Sequence, residues 1–163
     1  MRGARHRGQR VELPTGHRRH AADGHVVAVR LLDVHAPFLV HEAFRDVVKE
    51  FVKRYATEEK RKQWEADGEI DRATMLAAGE AGIIGLSVPE EFGGAGMLQD
   101  YRFRAIVNEE VIAAGAGSLA GAFGIQDDLA VPYIVHMGTQ EQKEKWLPGI
   151  ASGELICAIA MTE

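Results

Sequence analysis

Few residues in this chain are placed to do chemistry. His17 and His20 stand three apart, so two imidazoles on one helix turn would reach a single metal ion. Neither a cysteine nor a convergent acid accompanies them, so no metal site is expected. The segment PEEFGGAG at residues 89–96 is glycine-rich enough to cradle a phosphate. A dinucleotide-binding loop, however, follows a strand with a set glycine spacing, and a P-loop ends in Gly-Lys-Ser/Thr; this segment has neither. Glu109 and Glu110 read as a solvated helix face, as does the charge run at residues 58–62. Residues 115–124 are Gly and Ala apart from Ser118, Leu119 and Phe123. Side chains that small either let helices pack closely or leave room for a ligand. Cys157, the single cysteine, has no partner for an intramolecular disulfide and lies in the apolar run 155–161, where it reads as a small buried hydrophobe.

Positioning these residues requires a folded body. A chain of 163 residues, 46% hydrophobic and 26% charged, has the length and composition of one globular domain. No apolar run approaches the roughly 20 residues of a membrane span, and Arg30 interrupts the only apolar stretch near the N-terminus. A reducing, cytoplasmic setting is therefore expected. Charge is split: residues 1–35 hold seven Arg and five of the seven His, whereas the remainder carries 12 Lys and Arg against 21 Asp and Glu, a balance of −9. An acidic body argues against nucleic-acid binding. Residues 1–36 are expected to form a loosely ordered basic head that is upstream sequence rather than a targeting peptide, since its Gly, Pro and His interrupt any amphipathic helix.

From Val40, apolar residues at steps of three and four (Val40, Phe44, Val47, Val48, Phe51, Val52, Tyr55) predict a helix over residues 40–64, stopped by Asp67-Gly68. Asp71 is placed to cap a second helix, after which Ile83, Ile84, Leu86 and Val88 turn inward. Asp100 starts a third helix through about Ala114, burying Phe103, Ile106, Val107, Val111 and Ile112. Pro132 is expected to break or bend the chain near Val131. Thr139 and Gln142 form a capping box for a further helix with Trp146, Leu147 and Ile150 on its buried face. Residues 155–161 are too short and apolar for a typical helix and read as a buried strand whose partners lie outside this chain.

Three motifs then occur in an order that resembles the acyl-CoA dehydrogenase family: VPEEFGGAG at residues 88–96, GTQEQK at 138–143 followed by WLP at 146–148, and AIAMTE at 158–163. The resemblance covers residues 40–163 and is nearest the long-chain branch. It implies an all-α N-terminal helical domain over residues 37–153, with residues 154–163 as the first strand of a middle β-domain. The family continues AIAMTE into its flavin-binding segment, so the chain is expected to be a fragment.

By the same resemblance the complete protein removes two hydrogens across the α and β carbons of an acyl-CoA in fatty-acid oxidation, using FAD and passing electrons to an electron-transfer flavoprotein as a homo-oligomer, dimer or tetramer. Ile159, Ala160, Met161, Thr162 and Glu163 match the residues that lie along the flavin. Ala120, Gly121, Gly124, Ile125, Asp128 and Leu129 match the acyl pocket, with small side chains leaving volume for a long chain. Asp127 and Asp128 fit an alkyl tunnel poorly, so they are expected at its solvent mouth unless the substrate is not a plain fatty acyl chain. The catalytic carboxylate belongs to sequence not present here; none of Glu90, Glu91, Glu109, Glu110 or Glu163 matches it, and the fragment alone is expected to be inactive. A non-catalytic interaction module, half of a split enzyme, and a related flavin oxidase or monooxygenase are the alternatives.

Overall fold

A computed structural model describes residues 37–160, all of whose regular structure is helical. The basic head at 1–36 and residues 161–163 lie outside the described residues. Seven α-helices follow one another: α1 (Pro37–Tyr55), α2 (Glu58–Asp67), α3 (Arg72–Glu80), α4 (Tyr101–Ala113), α5 (Gly117–Gly124), α6 (Val131–Met137) and α7 (Gln140–Ala151). A short 3-10 turn, Glu90–Phe92, interrupts the loop between α3 and α4, and a π-helical segment, Ile125–Ala130, joins α5 to α6.

The main core forms where α1 lies along α4, with α5 beside α4. The three- and four-step spacing on α1 delivers Phe44, Val48, Phe51 and Val52 to this core, where Phe44 meets Phe103 edge-to-face at 5.3 Å. Arg45, on the flank of the same helix, bridges to Glu109 at 2.8 Å and Glu110 at 2.6 Å. Those two glutamates therefore tie α4 to α1, and Glu110 is largely shielded rather than solvated. A second, smaller core gathers Val88, Phe92, Val131, Leu147 and Ile150 around α6, α7 and the 3-10 turn.

The helix expected over residues 40–64 is two helices. Ala56 is buried, and Thr57 turns extended to cap α2, its hydroxyl accepting the Lys60 N–H at 3.3 Å. The break swings Trp64 into the core, where its indole N–H donates to Asp71 at 2.8 Å. Gly68 ends α2 in the left-handed region, φ 72°. Asp71 caps α3 as expected, accepting the Thr74 N–H at 3.0 Å and pairing with Lys60. Burial pushes its carboxyl up, but bonds from Trp64, Thr74 and Lys60 outweigh that and hold it at about 2.

Other expectations need correction. Ile112 and Trp146 point outward, at 60% and 41% exposure, because the cores claim Val111 and Leu147 instead. Pro132 causes no break: the wide π-turn before it absorbs the ring, and the helical path continues into α6. No strand forms among the described residues, since nothing extended lies beside residues 155–160. Those residues run without regular structure, and Leu155, Ile156 and Ile159 are exposed rather than buried. The capping box of α7 is present, with Gln142 N–H to Thr139 Oγ1 at 3.3 Å and Thr139 N–H to Gln142 Oε1 at 2.8 Å.

Candidate functional site

Helix α5 exists despite its glycines because Leu119 and Phe123 are fully buried and anchor one side of it. Its other side is bare. A Cβ built on Gly117 or Gly121 would meet nothing within 4 Å, so neither glycine is required by packing. Beyond Gly124 the π-turn changes the angular step, which turns two successive polar residues, Gln126 and Asp127, into the interior while Ile125 and Leu129 stay exposed. Of the expected acyl-pocket residues, Gly121, Ile125 and Leu129 are exposed, Gly124 and Asp128 are half-buried, and Ala120 is half-buried against the main core.

The two aspartates part company. Asp127 is fully buried, where its oxygens accept the Gly85 N–H at 3.0 and 3.1 Å and the Leu86 N–H. It is a pin between the π-segment and the loop after α3, not a group at a tunnel mouth. Burial pushes its carboxyl up to about 6, against the pull of Arg104 and the two amides. Asp128 also fails to reach open solvent fully: it takes the Arg104 Nε–H at 3.1 and 3.2 Å and the Tyr101 hydroxyl. Arg104 is buried on α4, at 3% exposure. Sequence reasoning missed it, although an arginine within the apolar pattern 103–107 is a signal that a buried acid must lie opposite.

Gln126 serves as the joint between the site and the C-terminal tail. Its amide donates to the Ile150 carbonyl at 3.0 Å and accepts the Cys157 N–H at 3.1 Å. Cys157 is half-buried, and burial pushes its thiol up. Two residues on, Ile159 and Ala160 are exposed and lie outside any helix, so no helical ladder consumes their N–H and C=O groups. Met161, Thr162 and Glu163 lie outside the described residues. Among the described residues no group of His, Cys, Asp or Glu could hold a metal ion, and His17 and His20 fall outside them. No helix among them is long and apolar enough to cross a membrane.

Two further cavities lie away from this surface. One of about 260 Å³ sits between α1 and the loop after α3, lined by Phe44, Gly82, Met97 and Phe103. Another, about 510 Å³, runs between α6, α7 and the tail, lined by Tyr133, Met137, Trp146 and Leu155.

Residues 40–154 match the family described as acyl-CoA dehydrogenase, N-terminal domain. The chain belongs to the acyl-CoA dehydrogenase family. Among relatives, the long-chain specific acyl-CoA dehydrogenase of mouse mitochondria is 35% identical over 123 residues, covering 76% of this chain and 27% of that protein. Among solved structures, an acyl-CoA dehydrogenase from Geobacillus kaustophilus superposes with a TM-score of 0.67 at 36% identity, covering 76% of this chain and 31% of that one. Glutaryl-CoA dehydrogenase from Mycobacterium smegmatis does so with a TM-score of 0.60 at 29% identity, covering 85% and 33%. The chain spans about a quarter to a third of the length of these dehydrogenases, and its all-α architecture is that of their N-terminal helical domain.

Proposed function

We propose that this chain is the acyl-binding, flavin-entry part of an FAD-dependent acyl-CoA dehydrogenase acting in fatty-acid oxidation on long-chain substrates. The observation that carries the reading is the bare face of α5. A helix that keeps glycine where side chains would cost nothing in packing has a use for the space, and the exposed Ile125 and Leu129 border it with apolar surface. An alkyl chain laid along Ala120, Gly121, Gly124, Asp128 and these two residues gains about 0.8 kcal/mol for each methylene it buries. Ile159 and Ala160, continued by Met161, Thr162 and Glu163, would lie against FAD. When bound, that cofactor supplies the acceptor for the substrate's hydrogens. This chain's own part is to hold the acyl group, exclude water from it and offer main-chain hydrogen bonds to the ring.

On this reading residues 1–36 stand outside the domain, 37–153 form it, and 154–163 begin a β-domain. None of Glu90, Glu91, Glu109, Glu110 or Glu163 matches the family's catalytic carboxylate, so on this reading these 163 residues alone do not turn over substrate. In the complete enzyme, a cytoplasmic homo-oligomer, electrons pass to an electron-transfer flavoprotein. The second reading, half of a split enzyme or an interaction module, is favoured by the apolar residues Tyr133, Met137 and Trp146, exposed at 64%, 79% and 41%.

The test is a chimera in which residues 40–163 replace the corresponding part of the Geobacillus enzyme. Gly121→Leu, which fills the bare face, should shift its preference to shorter acyl-CoAs, raising KM for dodecanoyl-CoA more than for butanoyl-CoA. Thr162→Val should shift the flavin potential by removing one donor near the ring at constant volume. An unchanged chain-length profile would refute the acyl wall, and an unchanged potential would refute the role of Thr162.

A further inference from the structure

Arg104 is a buried charge that this reading leaves unused. Its Nε is spent on Asp128, but Nη1 and Nη2, both shut off from solvent, meet no hydrogen-bond acceptor among the described residues. Leaving such donors unpaired is costly, so a fold that holds them in place is built to receive an acceptor. Gly124 sets the direction of approach. A Cβ there would stand 3.7 Å from Arg104 Nη2 and 3.5 Å from Asp128 Oδ2, so the glycine leaves the guanidinium only a side chain's depth below the bare face of α5. A cavity of about 70 Å³ between Ser87, Leu98, Tyr101 and Pro132 is lined by Arg104, Asp127 and Asp128. It gives a small acceptor room beside the guanidinium, and no residue of α5 lines it.

Charge decides the kind of acceptor. Asp128 touches the guanidinium and Asp127 faces it from the π-segment, so the positive charge is already matched by carboxylates. A further carboxylate or phosphate would bring surplus negative charge into a water-poor site. A hydroxyl or carbonyl oxygen accepts the same N–H groups without that cost.

We propose that Arg104 is a specificity-determining residue that hydrogen-bonds a neutral oxygen substituent, hydroxyl or keto, on the acyl chain lying along Gly121 and Gly124. The preferred substrate is then an oxygen-bearing acyl-CoA rather than a plain alkyl one. This rests on the reading of residues 120–129 as an acyl wall. It also accounts for the aspartates that suit a purely alkyl tunnel so poorly.

The test is calorimetric titration of the full 163-residue chain with dodecanoyl-CoA and with hydroxydodecanoyl-CoAs that move the hydroxyl along the chain. At least one hydroxylated ligand should bind about tenfold more tightly than the plain one. Arg104→Lys keeps a charge opposite Asp128 but loses the Nη pair, and should abolish the preference for the hydroxylated ligand. Gly124→Ala, whose methyl would stand 3.5 Å from Asp128 Oδ2 and 3.7 Å from Arg104 Nη2 and so narrow the approach, should weaken it too, and gives the answer if Arg104→Lys does not fold. Equal binding of plain and hydroxylated ligands would show that water alone serves the Nη groups; the proposal falls while the acyl wall stands. A preference that survives both variants would place the oxygen elsewhere and overturn the role of Arg104. Absence of binding by every acyl-CoA at millimolar concentration would remove the wall and the proposal together.

Discussion

Asp127 is an expensive residue for this fold, and its cost depends on pH. Its folded pKa of about 6 lies above the ordinary 3.8, so folding disfavours the ionised form. Its contribution is therefore fully present below pH 3.8 and is lost as pH rises towards 6, by at most about 3 kcal/mol. Asp71 and Asp100, both held at about 2, act oppositely, losing stabilisation as pH falls from 3.8 towards 2. Urea titrations of Asp127→Asn should show the wild type's advantage over the variant greatest near pH 4, shrinking to a plateau above about 6; a difference independent of pH would contradict the assignment. This residue was illegible in sequence because its partners, the amides of Gly85 and Leu86, lie some forty positions earlier. The same distance problem hid Arg104, whereas Asp71 and Asp100 cap helices within a few residues and could be read directly.

At the scale of elements, caps and glycines carry the definition of the helices. Thr57→Ala and Thr139→Ala should each lower stability by about 1 kcal/mol, measured by chemical denaturation. Thr139 was legible from its capping box. Thr57 was not, because the apolar spacing runs across the break and a three-step pattern does not register one extended residue. The glycines separate by cause. Gly79→Ala would drive a methyl into the Ser152 carbonyl and should cost about 1–3 kcal/mol, as overpacking does. Gly121→Ala meets nothing and should stabilise the chain by about 0.5–1 kcal/mol through helix propensity. A destabilised Gly121→Ala would mean that the bare face is needed for folding rather than for a ligand. The π-segment was the least legible element: its sequence carries no mark of a wider turn beyond the uncomfortable pair Asp127-Asp128, and tertiary partners decide it.

As a whole molecule, this domain has an unfinished surface. The main core is closed by α1, α4 and α5, but Tyr133, Met137, Trp146, Ile156 and Ile159 leave an apolar region around α6, α7 and the tail exposed. The tail is nevertheless docked: the Leu155 N–H donates to Gly149 at 2.8 Å and Cys157 is tied to Gln126. Replacing Ile156 and Ile159 together by Lys should leave helical circular dichroism unchanged and raise the monomer fraction in size-exclusion chromatography. The all-α class and helices α1, α3, α4 and α7 were readable from periodicity and caps; the break between α1 and α2 and the orientation of this surface were not, because an apolar residue reads as core until tertiary packing decides which ones are covered. If residues 40–163 are a working dehydrogenase N-terminal part, anaerobic titration of the Geobacillus chimera with an acyl-CoA will show it. The chimera should purify with FAD, and its visible flavin absorbance should bleach as substrate is added; a folded chimera that holds FAD but does not bleach with any acyl-CoA, plain or hydroxylated, would contradict that role.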